Sequence, residues 1–146
     1  HDALPISSLL LNVELTVINY ASTMGTRLFV PINKHNQTTF VPQQMDTREE
    51  DIWIKRPYTE VDTSVYHIPD GFAVESLPET VELEEGFGKY RLAIQVVDQR
   101  IQVIREMQII KGIYPASNYD QLRTFYKKIN QADRGKFVLV ENMAAK

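Results

Sequence analysis

The sequence contains no cysteine, one tryptophan and no long apolar run. Without cysteine the chain cannot form a disulfide, a thiolate zinc site or a Cys nucleophile. No apolar run approaches the roughly 18 residues that a membrane-spanning helix needs, so we expect no membrane span in this sequence. The lack of cysteine does not decide the compartment, because exported bacterial domains often lack cysteine as well.

The sequence also lacks an excess of either charge. It carries 16 Lys and Arg against 19 Asp and Glu, for a net charge of -3, and it has no dense basic stripe. The electrostatic signature of a nucleic-acid binder is therefore missing. With 146 residues, 43% of them hydrophobic and 24% charged, the chain has the size and composition of one globular domain with a real core.

The opening residues HDALPI show neither an initiator Met nor the pattern of a secretory signal. The codons CAC GAC GCT CTT CCG ATC T encode this string and resemble the end of a common sequencing adapter. We therefore predict that residues 1–6 are foreign to the protein and that the true polypeptide continues upstream. Residues 7–140 are predicted to form a single domain and residues 141–146 a frayed tail.

Short β-rich segments bounded by Pro, Gly or Asp run through most of the chain and predict a series of strands. In the segment 9–18, apolar residues alternate with Asn12, Glu14 and Thr16, which is typical of a half-buried strand. Residues 39–50 are predicted to form an irregular segment that crosses between two sheets. The further predicted strands are 27–32, 51–55, 63–68, 74–77, 81–84, 90–97, 101–110 and 136–140.

Two features define the architecture further. Two long predicted strands flank Asp98-Gln99-Arg100 and indicate a central hairpin, because Asp at a turn can hydrogen-bond the backbone two residues on. Apolar residues then recur at helical spacing and predict an amphipathic helix from Ser117 to Arg134. The predicted apolar stripe consists of Tyr119, Leu122, Phe125, Tyr126, Ile129 and Ala132. Ser117, followed three residues later by Asp120, is the capping signal at its start. The sequence thus predicts a mainly β fold, an antiparallel β-sandwich with one C-terminal amphipathic α-helix.

The polar residues suggest only weak candidates for chemistry. His35 lies in a polar loop without a second histidine, so a metal site there needs partners from elsewhere in the fold. His67 with Asp62 or Asp70 suits general base catalysis, but a strand His beside Asp is more often a satisfied pair. The glutamates near Gly86 match no calcium loop and fit a solvated sheet edge. We therefore expect no catalytic residue, metal or cofactor in this chain.

The aromatic residues are the most informative local feature. If Ile52 and Ile54 face the core, strand alternation points Trp53 outward, on the side of Asp51 and Lys55. Tyr58 and Tyr66 follow within 13 residues and can enlarge the aromatic surface that Trp53 begins. Trp53, Tyr58 and Tyr66 are therefore the candidate interface, either a platform for a sugar ring or a docking patch for another domain. Packing of these rings in the core is the alternative.

Four segments together resemble one protein family. They are MGTRLFVPIN from Met24, YHIPDGFAVESLP from Tyr66, FGKYRLAIQV from Phe87, and IKGIYPASNYDQLRTFYKKINQADRGKFVLV from Ile110. The order and spacing of these motifs, from about residue 19 to 140, resemble the C-terminal domain of unknown function that follows a transglutaminase-like core in bacterial proteins.

The resemblance implies mostly what lies beside the domain. Such proteins carry a papain-like core with catalytic Cys, His and Asp, often behind a signal peptide, so the resemblance implies a periplasmic or otherwise exported protein. No residue of this sequence matches that triad. We therefore expect a noncatalytic accessory domain whose partner is the upstream core of the same polypeptide. The alternative is an independent glycan- or peptide-binding β-sandwich module.

Overall fold

The computed structural model describes residues 21–33, 37–45 and 47–142. The predicted leader 1–6, the predicted strand 9–18 and His35 lie outside the described residues. The strands are β1 Ser22–Met24, β2 Arg27–Pro31, β3 Ile52–Ile54, β4 Tyr58–His67, β5 Phe72–Ser76, β6 Val81–Glu85, β7 Gly88–Val97, β8 Arg100–Ile109, β9 Gly112–Tyr114 and β10 Lys136–Glu141, and the α-helix is α1 Tyr119–Asp133.

The described strands form three antiparallel sheets. One four-stranded sheet has the order β1-β2-β10-β5, a second has the order β4-β8-β7-β6, and β3 pairs with β9 in a two-stranded sheet. The predicted central hairpin is confirmed, since β7 and β8 occupy the middle of their sheet and Val97 pairs with Arg100 across the turn. Asp98 takes a positive φ of 56° in that turn, a conformation that Asp tolerates better than most residues.

The core lies between the two four-stranded sheets and the helix. Alternation directs Ile101, Val103 and Met107 of β8 inward, where they join Phe137 and Leu139 of β10 in one buried cluster. The helix adds Leu122, Phe125 and Ile129 to the same cluster. The predicted mainly β, sandwich-like fold with one C-terminal helix is therefore confirmed.

Element boundaries differ from prediction in several places. β4 begins at Tyr58, directly after Pro57, and is longer than predicted, while β1 and β9 were not predicted because three residues are too few to show alternation. β10 extends one residue into the predicted tail, to Glu141.

The start of the helix also differs. A 3₁₀ turn over Ala116–Asn118 precedes α1, and no side chain caps the helix, so the predicted capping interaction of Ser117 is wrong. The turn shifts the helix start past the predicted cap. No helix within the described ranges is long and apolar enough to cross a membrane.

Candidate interaction site

Trp53 lies on β3, where alternation decides the orientation of each side chain. Ile52 is buried and Ile54 half-buried, while Trp53 between them is 64% exposed. The predicted outward orientation of Trp53 is therefore confirmed, and core packing is excluded for this residue.

Ile113 accompanies Trp53 on the paired strand β9. The two residues are direct cross-strand partners, and Ile113 is also 64% exposed. Directly opposed side chains on an antiparallel pair lie on the same face, so the two apolar side chains form one surface feature, the Trp53–Ile113 patch. Exposed to this extent, they contribute little to the core of this domain.

Two cations of the chain lie over aromatic rings of this region. The Lys55 ammonium is 4.4 Å from the centroid of the Trp53 ring, and the Arg48 guanidinium is 4.7 Å from that of Tyr119. Arg48 is held there by hydrogen bonds from Nε to the Glu50 carbonyl at 2.9 Å and from Nη2 to the Asp51 carbonyl at 3.2 Å. One face of each ring is thus occupied by the protein itself.

A groove of about 460 Å³ begins beside Trp53 and lies between β3, the start of β4 and helix α1. Ile52, Ile109 and Leu122 supply buried apolar side chains to it. Five aromatic rings also line this aromatic groove, namely Phe40, Trp53, Tyr58, Tyr119 and Tyr126. Its volume lies within the range of small-ligand clefts.

Two tyrosines keep neutral hydroxyls inside the groove. Burial, together with the neighbouring Tyr58, raises the pKa of Tyr126 to about 12. Burial and the nearby Glu60 carboxylate also raise the pKa of Tyr58. Phe40 meets Tyr126 edge to face at 5.2 Å between centroids, which closes one side of the groove.

One wall of the groove is an extended segment, residues 38–43, which we call the strap. It runs antiparallel to α1, and helix side chains donate to its carbonyls. Asn130 Nδ2 lies 3.1 Å from the Phe40 oxygen, Arg123 Nε 2.9 Å from the Pro42 oxygen, and the Tyr119 hydroxyl 2.5 Å from the Gln43 oxygen. Because these helix residues are four and seven positions apart, they form one stripe beside the apolar one.

The strap begins at a buried ionic cluster. Arg105 donates two hydrogen bonds to the Asp133 carboxylate, from Nε at 2.8 Å and from Nη2 at 2.9 Å. Arg105 is 2% exposed and Asp133 is 0% exposed. Asp133 also accepts hydrogen bonds from the Tyr90 hydroxyl at 2.6 Å and from the Thr38 backbone N–H at 2.9 Å. Through Thr38 the cluster fixes the strap to the end of the helix and to the sheet.

The cluster changes the proton affinity of its members. Burial, with the hydrogen bond to the Asp133 carboxylate, raises the pKa of Tyr90 far above its ordinary value. Burial alone lowers the pKa of Arg105, but the hydrogen bond and the charge of Asp133 outweigh it, and the pKa is raised. Both shifts favour the protonated forms of Tyr90 and Arg105, which are the forms that donate hydrogen bonds to the Asp133 carboxylate.

The three predicted interface residues are not all brought together. Trp53 and Tyr58 line the same groove. Tyr66 lies at the opposite end of β4, packs edge to face on Phe137 at 5.4 Å, and donates its hydroxyl to the Ile32 carbonyl at 2.7 Å. Tyr66 thus supports the core between the sheets and takes no part in the groove.

The weaker candidates are separated by strand alternation. Asp62 faces inward, 3.7 Å from Arg105 Nη1, whereas His67 lies an odd number of residues along β4 and faces the other side, opposite Arg100. The pairing of His67 with Asp62 is therefore wrong. Among the residues described, no three His, Cys, Asp or Glu side chains come together as a metal site.

The acidic segment of β6 behaves as a solvated edge. Glu82 and Glu84 are exposed and pair with the cross-strand cations Arg91 at 3.1 Å and Lys89 at 3.8 Å. Such pairs contribute little to stability. The exposed glutamates on this edge strand fit the solvated sheet edge expected from the sequence.

Several site residues were missed in the sequence. Phe40 and Ile113 stand in segments without a periodic pattern, and Tyr119 and Tyr126 were assigned to the buried stripe of the helix. A signal existed only for Arg105, which alternation on β8 places among inward-facing apolar residues. A charge in that position requires a buried partner.

Comparisons with known proteins agree with the fold. Residues 26–139 match the family described as "Domain of Unknown Function with solved-structure structure (DUF3858)". No curated protein matches the chain. A crystal structure of "a putative protease" from Parabacteroides distasonis ATCC 8503 is similar at a TM-score of 0.55 and 15% identity, over 67% of this chain. The chain corresponds to 19% of the length of that protein, and the likeness extends to the fold alone.

Proposed function

The chain belongs to this family of domains of unknown function, and we propose that it is a noncatalytic accessory domain of a longer, exported bacterial protein. Its partner is a transglutaminase-like core of the same polypeptide. The domain packs on that core and helps to shape or shield its cleft. The similar fold that forms 19% of a longer chain is consistent with such a role for the fold.

The observation that carries this proposal is the Trp53–Ile113 patch. A tryptophan and an isoleucine, each 64% exposed and paired across two strands, leave apolar area in water that the domain does not use itself. Trp is among the residues most enriched at the centres of interfaces. A neighbouring domain that covers this patch accounts for its exposure.

A second candidate function is an independent glycan- or peptide-binding module, and the aromatic groove favours it. The groove is large enough for a ligand and is lined by five rings. The two candidates differ in the partner that is bound. The accessory domain binds the core of its own polypeptide, whereas the module binds its ligand without the core.

The test compares the intact protein with its Trp53→Ala variant. We expect Trp53→Ala to loosen the contact between core and domain, because removal of a central interface aromatic costs about 2 kcal/mol or more of binding energy. Limited proteolysis should then cut at the domain junction, and calorimetry should resolve separate unfolding transitions. The upstream reading frame should encode the Cys, His and Asp of the core.

The matched control is Met24→Ala, which removes another exposed apolar side chain, 72% exposed on β1. It should leave proteolysis of the junction unchanged. In the isolated domain, Trp53→Ala should scarcely alter stability, and the domain should turn over no peptide or glycan. Equal proteolysis of Trp53→Ala and the parent, or turnover by the isolated domain, would contradict the proposal.

A further inference from the structure

We propose that the aromatic groove seats an extended, proline-containing peptide segment with a carboxylate beside Arg56. The inference rests on the proposed function, because the neighbouring core supplies the segment. The inference specifies the chemistry of the bound segment, which the Trp53–Ile113 patch alone does not specify.

The shape and lining of the groove fit such a segment. Phe40 and Pro42 of the strap form one side, and Trp53 and Tyr58 lie among the residues around it. Proline-rich chains bind between aromatic side chains because the polyproline II conformation is already extended and loses little entropy on binding. A volume of about 460 Å³ accepts a few residues of such a chain.

The hydrogen-bonding groups of the groove complement a chain with free carbonyls. The Trp53 indole and the Arg56 guanidinium can only donate, and within the part of the chain that the structure describes neither donates a hydrogen bond to the protein. Polyproline II has no internal hydrogen bonds, so all its carbonyls can accept. A groove with spare donors and an acceptor-rich chain match each other.

The charge of the groove distinguishes an acidic peptide from a neutral glycan. Lys55 lies over one face of Trp53 and Arg48 over one face of Tyr119, and the Arg56 guanidinium also lines the groove. These cations complement a carboxylate, which an acidic peptide carries and a neutral glycan lacks. The cations therefore favour a peptide with an acidic residue.

Arg56 adds the preference for a carboxylate. It is exposed at the groove and forms no ion pair among the described residues, so its charge can pair with a ligand. A guanidinium binds a carboxylate with paired, charge-assisted hydrogen bonds. We therefore place an acidic residue of the segment beside Arg56.

The single tryptophan of the chain lies in the groove and reports binding directly. The experiment titrates the full chain with a short proline-rich peptide that contains one glutamate and follows Trp53 fluorescence. We expect a saturable change. A peptide with Gly in place of each Pro should bind at least about tenfold more weakly, because it must lose more entropy to become extended.

Two groove variants and one control locate the site. Phe40→Ala removes a ring that is 62% exposed and should raise the Kd of the peptide at least about tenfold. Arg56→Ala should weaken the Glu peptide while leaving a matched Gln peptide unchanged, which isolates the charge interaction. Met24→Ala, outside the groove, should bind like the parent. Both Phe40 and Arg56 are exposed, so circular dichroism should show intact folds.

The absence of a saturable change with the peptide overturns the inference. Equal losses for the Glu and Gln peptides in Arg56→Ala overturn the assignment of the carboxylate. A fluorescence change with chito- or cello-oligosaccharides alone replaces the peptide with a glycan. If the peptide fails while Trp53→Ala still loosens the intact protein, this inference is wrong and the proposed docking function stands.

Discussion

Arg105 occupies an inward-facing position of β8, where alternation requires an apolar residue or a charge with a partner. It meets Asp133 through two hydrogen bonds, and its Nη1 also lies 3.5 Å from Glu60 and 3.7 Å from Asp62. Among the residues that the structure describes, Asp133 forms an ion pair with Arg105 alone. The cluster is thus asymmetric, since the aspartate depends on a single guanidinium.

We predict that Arg105→Met destabilises the domain by about 3 to 5 kcal/mol, because it leaves the buried Asp133 charge without a cation. Chemical denaturation of the purified chain measures the change. Arg91→Met on the neighbouring strand is the matched control. Its pair with Glu82 is exposed, so we expect a loss of about 0 to 1 kcal/mol. Similar losses for the two variants would show that the Arg105 pair is solvated.

The sequence predicts the burial of Arg105 but not the burial of its partner Asp133. The two-residue period of β8 places Arg105 inside without knowledge of the fold. Asp133 stands at the end of an amphipathic helix, where an acidic residue normally faces water. Its partner follows only from how the helix docks on the sheet, which local periodicity does not specify.

At the scale of elements, helix α1 uses two stripes. Leu122, Phe125 and Ile129 pack into the core as predicted, whereas Tyr126, predicted on the same stripe, turns toward the groove. A neighbouring stripe of polar residues holds the strap. The helix therefore links the core to the candidate site, and its sequence period revealed only the first stripe.

We predict that Phe125→Ala costs about 3 to 5 kcal/mol, because the lost transfer energy and the remaining cavity add together. Phe125 is 2% exposed and meets Phe87 edge to face at 5.3 Å. Thr124→Ala, at the preceding and exposed position of the helix, should change the free energy of unfolding little. A denaturation midpoint barely changed by Phe125→Ala would show that this face is not core.

Strand prediction was most accurate where alternation continued over many residues, and it missed two of the three described three-residue strands, β1 and β9. The long strands β7 and β8 were predicted almost to the residue, since their inward and outward positions differ consistently. β9 has three residues, too few for a period, and its pairing with β3 depends on contacts distant in sequence. Ile113 was therefore missed together with its strand.

At the scale of the whole molecule, one core joins the two large sheets and the helix, while the groove lies at its margin. The sequence predicted this class of fold because patterning on one face specifies burial. It predicted the outward Trp53 by the same rule. The groove was not predictable, because its walls come from the strap, β3 and α1, and only tertiary packing brings these together.

The same packing makes the stability of the whole molecule depend on pH in alkaline solution. Burial raises the pKa of Tyr58, Tyr90 and Tyr126, in the last case to about 12. An exposed phenol in the unfolded chain loses its proton near pH 10. Between these values the folded state binds more protons than the unfolded state, so the free energy of unfolding falls as pH rises.

We predict that Tyr126→Phe reduces this alkaline loss. Urea denaturation gives the free energy of unfolding at about pH 9 and about pH 11, for the parent and for the variant. Subtracting the fall in the variant from the fall in the parent removes the contribution of lysines, which titrate in the same range in both proteins. Since Phe has no proton to lose, its stability should fall less over that interval. Tyr90→Phe should act in the same direction but also lose a hydrogen bond to Asp133, and so begin from a lower stability at pH 9. An alkaline loss identical in parent and Tyr126→Phe would mean that the Tyr126 hydroxyl is in water and that the groove is open at this ring.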